Sequence, residues 1–256
     1  MISRRRLLAL TAGAVSGRAL ARVEAAWQRG RDGHLSASFK TPRQKVAPGQ
    51  QMLGLGDAGG RDGLLIVPAN YRPESPAPLV VLLHGAGGSA RRVTSLFSVA
   101  DELGVIVLAP ESRDRTWDGI RGEFGADIDF LNRALAHTFD RSAVDRRRLA
   151  IGGFSDGASY GLSVGLASGD LFTHVVACSP GFVIPGPTRG RPRLFVSHGT
   201  ADQILPIDST SRRIVPELKR AGYDVTYREF EGPHAVTPAI GREALEWLVG
   251  AKPRVP

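Results

Sequence analysis

The sequence is poor in cysteine and contains no long apolar run. Cys178 is the one cysteine among 256 residues. The chain therefore cannot form an intramolecular disulfide or supply a cysteine-rich zinc site. Apolar residues make up 42% and charged residues 23% of the chain, which is ordinary for a globular protein and excludes a disordered or collagen-like one. Stability must come from a buried core.

Charge of one sign is in excess mainly at the N-terminus. The formal net charge is +8, and the first 21 residues contribute four arginines and no acidic residue. Without them, 29 basic residues face 25 acidic ones, a balance of +4. The other arginines are scattered, and the run Arg146–Arg148 is predicted to be a solvated turn before a strand. This distribution does not favour nucleic-acid binding, and no nucleic-acid partner is expected.

Residues 1–21 have the features of an export signal. A basic start is followed by an apolar stretch from Leu7 to Val15 and by Ala19 and Ala21 in an A-x-A pattern. This stretch is too short for a bilayer, which takes about 20 residues, so a removable signal is favoured and no stable membrane insertion is expected. Arg4–Arg6 followed by leucines resembles the twin-arginine motif, which predicts a periplasmic or secreted protein. The alternative is the arginine-rich tail of a cytoplasmic protein.

Short apolar runs alternate with helical patterns along most of the chain. Apolar runs without polar alternation are typical of strands buried on both faces. Strands are predicted at Leu64–Val67, Leu79–Leu83, Val105–Ala109, Leu149–Gly153, His174–Cys178, Leu194–Ser197 and Val225–Phe230, with weaker candidates at Leu35–Phe39 and Gln51–Leu55. Helices are predicted at Ala90–Leu103, Gly125–Phe139, Asp156–Ala167, Asp208–Ala221 and Pro238–Val249. The pattern predicts one α/β domain over residues 64–250, with a mostly parallel, doubly wound sheet and helices on both faces, after an edge segment at residues 22–63.

The sharpest motif is the G-x-S-x-G sequence Gly153–Gly157, between an apolar strand and a helical run. A strand-to-helix turn that lifts a serine side chain above a sheet is strained, and it tolerates only very small residues two positions to either side. Gly161 and Gly165 continue a side-chain-free face along the helix at spacings of four residues. Ser155 is therefore the predicted nucleophile.

A nucleophilic serine needs a base, and the base needs an orienting carboxylate. Asp202 follows the strand Leu194–Ser197, and His234 follows the strand Val225–Phe230. Both loops are expected at the sheet edge that carries Ser155. In this arrangement His234 would take the proton from Ser155 and return it to the leaving group, while Asp202 would fix the tautomer of the imidazole.

Acyl transfer also needs hydrogen-bond donors aimed at the developing oxyanion. The glycine-rich loop His84–Gly88 directly follows the strand Leu79–Leu83. We predict that the backbone amides of Ala86 and Asp156 form the oxyanion hole, with Gly87 as the second choice for the loop donor. Gly87 would also let a substrate approach the backbone closely.

These motifs resemble those of the α/β-hydrolase superfamily. They are, in chain order, Leu83–Gly88, Gly153–Gly157, His198–Asp202 and Gly232–His234, within a resemblance that covers about residues 64–249. The chain is similar to the phospholipase/carboxylesterase group of serine esterases and to polyhydroxybutyrate-depolymerase-like and feruloyl-esterase-like proteins. The resemblance implies ester hydrolysis through an acyl-enzyme, with no cofactor.

Asp156 departs from the pattern of this group, which often has glutamine or another neutral polar residue there. A carboxylate beside an oxyanion hole would oppose charge build-up, unless its side chain points away and serves the helix N-terminus.

Several other residues carry weaker expectations. Trp117 and Phe182 follow strands at the predicted site edge, where an aromatic ring would either line the substrate pocket or pack internally. His84 and His198 are expected to orient loops, and Cys178 to be a buried small side chain. No metal site is expected, since no spacing of the H-E-x-x-H type surrounds the remaining histidines.

The connections between predicted strands are short and leave no segment for a large cap domain. We therefore expect an open cleft, which favours small or polymer-derived esters over long acyl chains. Two alternatives remain open at this point: a non-catalytic ligand- or polymer-binding domain, and a serine peptidase of the same fold.

Overall fold

The computed structural model describes residues 32–56, 60–92 and 97–250, so the predicted export signal at residues 1–21 lies outside the described residues. In these ranges the strands are β1 Gly49–Met52, β2 Gly63–Val67, β3 Ala77–Leu83, β4 Ile106–Pro110, β5 Val144–Phe154, β6 His174–Cys178, β7 Arg193–Gly199 and β8 Val225–Phe230. The α-helices are α1 Phe97–Glu102, α2 Asp118–Arg121, α3 Ala126–Arg141, α4 Asp156–Ala167, α5 Ser211–Arg220 and α6 Pro238–Val249.

All eight strands form one sheet in the order β1-β2-β4-β3-β5-β6-β7-β8. The pairs β1–β2 and β2–β4 are antiparallel, and every other neighbouring pair is parallel. The predicted mostly parallel sheet is confirmed. Because the carboxyl ends of parallel strands meet at one edge, the loops after β3, β5, β7 and β8 come together there.

The two faces of the sheet bury alternate residues of each strand. Leu79 and Val81 of β3 belong to the core cluster that includes residues of α3, α4 and α5. Val80 and Leu82 belong to the cluster that includes residues of α1 and α6. Because successive side chains on a strand point to opposite faces, helices cover both faces, as predicted. Within the described ranges, no helix is long and apolar enough to cross a membrane.

The end of the chain shows how local signals fix an element. The helix α6 begins at Pro238. An amide at the first helical position has no acceptor within the helix, so proline, which lacks the amide hydrogen, costs nothing there. The side chain of Thr237 accepts a hydrogen bond from the Ile240 amide at 3.2 Å. Gly250 ends the helix in the left-handed conformation, with φ of 74°. The predicted bounds of this helix are confirmed.

The segment predicted as a strand at Leu35–Phe39 is not one. The amide of Leu35 donates to Ser168 Oγ at 2.9 Å, and the amides of Ser36 and Ala37 donate to Asn132 Oδ1 at 2.7 and 2.9 Å. Side-chain acceptors far away in the chain, on α3 and just after α4, thus replace the strand partner that the sequence pattern implied.

Other boundaries also differ. Arg146–Arg148 lies inside the partly exposed first half of β5 and not in a turn, because β5 extends beyond its buried end. The predicted helix Asp208–Ala221 is divided into a 3-10 turn at Ile207–Ser209 and α5. The predicted helix Ala90–Leu103 lies partly outside the described residues, and α1 covers its later part. The division into segments 22–63 and 64–250 stays a prediction.

Candidate active site

The strand-to-helix turn at Ser155 is built by close backbone packing. Ser155 has φ of 58°, in the left-handed region that side-chain-bearing residues rarely adopt. A Cβ atom on Gly153 or on Gly157 would lie 2.2 Å from the Leu83 carbonyl oxygen. The amide of Ser155 donates to the Cys178 carbonyl at 3.0 Å, which ties the turn to β6. The strained serine is held by strands on both sides.

The structure brings Ser155, His234 and Asp202 together. His234 Nε2 lies 2.9 Å from Ser155 Oγ, and His234 Nδ1 lies 2.6 Å from Asp202 Oδ2. The imidazole ring packs against Phe154 with ring centroids 4.6 Å apart. With Nδ1–H donating to the carboxylate, Nε2 is free to accept the serine proton. This is the connectivity that a nucleophile, its base and an orienting acid require.

Asp202 is buried and accepts several hydrogen bonds. Its Oδ1 accepts from the amides of Ile204 and Leu205 at 2.9 and 2.8 Å. Burial alone would raise the pKa of Asp202, but the hydrogen bonds from Leu205 and His234 outweigh it and hold that pKa below its ordinary value. Asp202 is therefore a carboxylate near neutral pH and can stabilise an imidazolium at His234.

His198 contacts the same carboxylate, which the sequence did not reveal. Its Nε2 lies 2.8 Å from the Leu205 carbonyl and 3.1 Å from Asp202 Oδ2, and its Nδ1 lies 2.7 Å from Ser211 Oγ. Burial lowers the pKa of His198, so the ring is neutral with its proton on Nε2, facing two acceptors. His198 orients the loop, as expected, and also holds Asp202.

The backbone amides of the two predicted oxyanion donors differ in their hydrogen bonding from the amide of Gly87, the second choice for the loop donor. In the described part of the chain, the amides of Ala86 and Asp156 donate to no protein acceptor. The amide of Gly87 donates to the Arg115 carbonyl at 2.6 Å. Gly87 is therefore occupied as a donor, and its proposed role as an alternative oxyanion donor is wrong. Gly87 is exposed in the loop, and the close approach of a substrate to its backbone stays a prediction.

The carboxylate of Asp156 points to the loop after β4. Thr116 Oγ1 donates to Asp156 Oδ2 at 2.6 Å, so this carboxylate oxygen is bound by the loop. The same loop supplies the Arg115 carbonyl to Gly87, so it links the nucleophile turn to the loop after β3. No sequence pattern marked Thr116, because its partner lies 40 residues away in the chain.

Trp117 does not line a substrate pocket. Its side chain is fully buried, and its ring lies between the rings of His84 and Tyr160, with centroids 5.0 and 5.2 Å away. Its Nε1 donates to the His84 carbonyl at 2.9 Å. The ring supports the start of the loop after β3, and its assignment as a substrate contact is corrected to internal packing. Phe182 is exposed, and its substrate contact stays a prediction.

A buried network supports the loop that carries Ala86. His84 Nδ1 donates to the Gly85 carbonyl at 2.8 Å, and its Nε2 accepts from the Ser112 amide at 3.1 Å. Arg61 donates from Nη2 to the Gly88 carbonyl at 3.2 Å and from Nε to the Ser112 carbonyl. His84 thus orients the loop, as expected. The role of Arg61 was not foreseen, since it lies outside every motif.

Cys178 is buried, and burial raises its pKa to about 11. A thiol with that pKa is uncharged near neutral pH and is a poor nucleophile. The expectation of a buried small side chain is confirmed.

Comparison with known proteins places this geometry in a family. Residues 118–247 match the family model described as phospholipase/carboxylesterase. The chain is 30% identical over 158 residues to a probable feruloyl esterase C of Aspergillus oryzae, covering 58% of this chain and 57% of that protein. It is 26% identical over 164 residues to feruloyl esterase C of Emericella nidulans, covering 60% of each chain. The alignments thus span less than two thirds of these relatives.

A solved structure agrees on the fold. An S-formylglutathione hydrolase from Staphylococcus aureus is 18% identical to this chain and has a TM-score of 0.63, with 81% of this chain and 98% of that chain covered. At that identity the likeness shows a shared α/β-hydrolase fold. Together with the family model, which includes Ser155, Asp202 and His234, it leads to one conclusion: the chain belongs to the phospholipase/carboxylesterase family.

Proposed function

We propose that this protein is a serine-dependent carboxylic ester hydrolase that works through an acyl-enzyme on small or polymer-derived esters. The observation that carries the proposal is the position of His234, which contacts Ser155 Oγ with one ring nitrogen and the Asp202 carboxylate with the other. Membership of the phospholipase/carboxylesterase family supports the reaction type. The feruloyl esterases among its relatives support an ester substrate.

The first half of the proposed reaction forms the acyl-enzyme. Ser155 Oγ attacks the ester carbonyl carbon while its proton moves to His234 Nε2. The carbonyl oxygen becomes an oxyanion, which the amides of Ala86 and Asp156 stabilise. The tetrahedral centre then collapses, the bond to the alcohol oxygen breaks, and His234 donates its proton to that oxygen. Asp202 stabilises the imidazolium throughout.

The second half releases the acid. A water molecule gives its proton to His234 and attacks the acyl carbon, and the bond to Ser155 Oγ breaks as the proton returns to that oxygen. The carboxylic acid leaves, and the free serine is restored. Every proton transfer passes through His234 Nε2, and these protein residues supply each step without a cofactor.

The test compares the full chain with two serine variants. Hydrolysis of 4-nitrophenyl acetate is measured for wild type, Ser155→Ala and Ser209→Ala, where Ser209 is an exposed serine in the turn before α5. Removing the nucleophile of a serine hydrolase costs on the order of 10⁶-fold in kcat, so we expect Ser155→Ala to lose at least about 10⁴-fold. Ser209→Ala should match wild type.

A second readout identifies the nucleophile and the bond type. A phosphonate inhibitor should label Ser155, as mapped by mass spectrometry, and ester substrates should be cleaved far faster than the matching anilides. Equal rates for wild type and Ser155→Ala, with no label on Ser155, would instead support a non-catalytic binding domain. Comparable rates on esters and anilides would support a peptidase.

We further propose that residues 1–21 direct export through the twin-arginine route. The support is the sequence pattern of three arginines, an apolar stretch and A-x-A. In bacteria that express the full chain, wild type should appear in the periplasmic or culture fraction. The triple change Arg4→Lys, Arg5→Lys, Arg6→Lys should keep the protein in the cytoplasm. Unchanged fractionation of that variant would contradict the proposal.

A further inference from the structure

Two unlike spaces flank His234. On one side lies a cavity of about 410 Å³ between the sheet and α6. Its wall includes side chains of β3, β6 and α6, namely Val80, Leu82, Val176, Cys178, Ala244 and Leu245. On the other side a groove of about 580 Å³ is lined by the loops after β7 and β8, and Gln203, Ile204 and Glu231 there are exposed. His234 lines both spaces.

The wall of the cavity is apolar away from its mouth. Among the described residues of the wall, the charged side chain is that of Arg92, which is exposed to solvent. His84 also lines the cavity, but its ring nitrogens are engaged by the Gly85 carbonyl and the Ser112 amide. The thiol of Cys178, with a pKa raised by burial to about 11, is uncharged. A charged group would lose its hydration there without gaining a partner, whereas hydrocarbon would gain from leaving water.

The reacting serine lies next to residues that line the two spaces. His234 Nε2 is 2.9 Å from Ser155 Oγ, and both Gly153 and Phe154, just before the serine, line the cavity. Ala86, whose amide is a proposed oxyanion donor, lines it as well. An ester carbonyl bound at Ser155 therefore has the apolar cavity within reach of one substituent and the open, polar groove within reach of the other.

We propose that the cavity between the sheet and α6 binds the hydrocarbon part of the ester, with the polar part of the substrate lying in the groove. The proposal rests on the proposed function and narrows its substrate class to amphipathic esters. A cavity of 150 Å³ holds a benzene ring, so one of 410 Å³ holds a linear or aromatic group on the order of ten carbon atoms. This differs from the open cleft for short esters that the sequence indicated.

The first measurement is the chain-length profile of the wild-type full chain. In one arm the acyl group of a 4-nitrophenyl ester is lengthened from acetyl to decanoyl, and in the other the alcohol of an acetate ester is lengthened from ethyl to decyl. Each methylene moved out of water is worth about fourfold, so we expect kcat/KM to rise at least tenfold from two to about eight carbons in one arm. The arm that rises identifies which part of the ester enters the cavity.

The second measurement fills the cavity. Ala244 is buried on the cavity wall, and Ala239 is exposed on the first turn of the same helix. Leucine at position 244 would occupy part of the space that the hydrocarbon needs. We expect Ala244→Leu to lower the ratio of long-chain to short-chain kcat/KM by tenfold or more, and Ala239→Leu to keep the wild-type ratio. Thermal unfolding confirms that both variants fold.

A variant in the opposite direction covers the case in which Ala244→Leu does not fold. Leu245→Ala enlarges the cavity, and we expect the preferred chain length to become longer. Acetate hydrolysis with a flat or falling profile in both arms, or a profile that neither cavity variant changes, would overturn this proposal and leave the esterase proposal standing. No hydrolysis of any ester and no label on Ser155 would overturn the proposed function itself.

Discussion

The two halves of the candidate site are built by different means. The nucleophile half depends on missing side chains: an added Cβ on Gly152 would lie 1.9 Å from the Val176 carbonyl oxygen, and one on Gly157 would lie 2.2 Å from that of Leu83. The acid–base half depends on side-chain hydrogen bonds, with Asp202 as the shared acceptor for His198 and His234. Close packing of the backbone thus fixes the geometry of the nucleophile half, and hydrogen bonds between side chains fix the geometry of the acid–base half.

The difference predicts two kinds of failure. Adding an atom to the nucleophile half forces strands apart, so the fold should suffer first. Changing a polar atom in the acid–base half leaves the packing almost intact, so the chemistry should suffer first. Stability and activity should therefore separate between the two halves.

The largest expected effect comes from Asp202→Asn. Asparagine keeps the shape and can still accept from the Ile204 and Leu205 amides, but its amide group would donate to His234 Nδ1 and put the ring proton on Nε2. That tautomer cannot accept the proton of Ser155, so we expect kcat to fall about 10⁴-fold. Steady-state kinetics measure the fall, and the free energy of unfolding measured in urea should fall by much less, because His198 Nε2 loses one acceptor and keeps the Leu205 carbonyl. A loss of stability in proportion to activity would contradict the comparison.

Gly157→Ala should disrupt the nucleophile half by destabilising the folded protein. The new Cβ would meet the carbonyl oxygens of Leu83 and His84 at 2.2 and 2.6 Å. Leu83 is paired within the sheet and the His84 carbonyl accepts a hydrogen bond from Trp117, so neither oxygen can easily move aside. We expect the free energy of unfolding to fall by more than about 3 kcal/mol, or the protein to be insoluble.

Gly165→Ala is the matched control on the same helix. There the new Cβ would meet methyl groups of Val175 and Ile151 at 2.5 and 3.0 Å, which are stiff, buried side chains but can shift further than paired backbone can. The gain in helix propensity, about 1 kcal/mol, offsets part of the overpacking. Urea unfolding should rank wild type above Gly165→Ala and Gly165→Ala above Gly157→Ala. Equal stability of the two alanine variants would show that backbone crowding does not define this half.

A histidine outside the site contributes to the pH dependence of stability. Burial, and then the charge of Arg193, lower the pKa of His174 to about 4. In the unfolded chain this histidine has the ordinary pKa of 6.5, so between pH 6.5 and 4 the unfolded state holds more protons. The stabilisation is complete above that range and is lost as pH falls through it, by about 2 kcal/mol at pH 5.

His174→Phe removes that titration and keeps an aromatic ring beside Trp247, which His174 contacts edge-on at 4.9 Å. We expect the difference in unfolding free energy between pH 7.5 and pH 5 to be smaller in the variant, as measured by urea unfolding at both values. An identical pH dependence in both proteins would refute the assignment.

The smallest effect is expected at Thr116, where the nucleophile half does use a side-chain hydrogen bond. Thr116→Val keeps the shape but removes the donor to Asp156 Oδ2. The freed carboxylate can then turn toward the proposed oxyanion hole, and we expect kcat to fall about tenfold with little change in KM. Thr116→Ser keeps the hydroxyl and should retain most of the activity. A Thr116→Val variant that changes KM alone would indicate a substrate contact instead.

The fold was predictable where local chemistry and burial agree. His174–Cys178 and Val225–Phe230 have their predicted strand bounds, because a proline or a glycine follows each strand within two residues. The helices at Asp156–Ala167 and Pro238–Val249 also have their predicted bounds, since a glycine turn or a proline start fixes them. Leu35–Phe39 was predicted wrongly because its hydrogen-bond partners are side chains far away in the chain.

The candidate site divides in the same way. The residue types and spacing of G-x-S-x-G predicted Ser155 as the nucleophile, and the positions after two later strands predicted Asp202 and His234 as its partners, because parallel strands bring such loops to one edge. The burial of Trp117 and the link from Thr116 to Asp156 were not predictable. Both depend on how the loop after β4 packs against a helix that follows it by dozens of residues.

The sequence by itself determined the class of fold, the order of the site residues and the need for glycine around Ser155, because these follow from periodicity, chain direction and the size of one side chain. The tertiary structure decided which loop amide can serve the oxyanion hole, that His198 contacts the Asp202 carboxylate, and where an apolar cavity lies. Those properties depend on distances between segments remote in the chain, and no local pattern encodes the gap of about 410 Å³ between the sheet and α6.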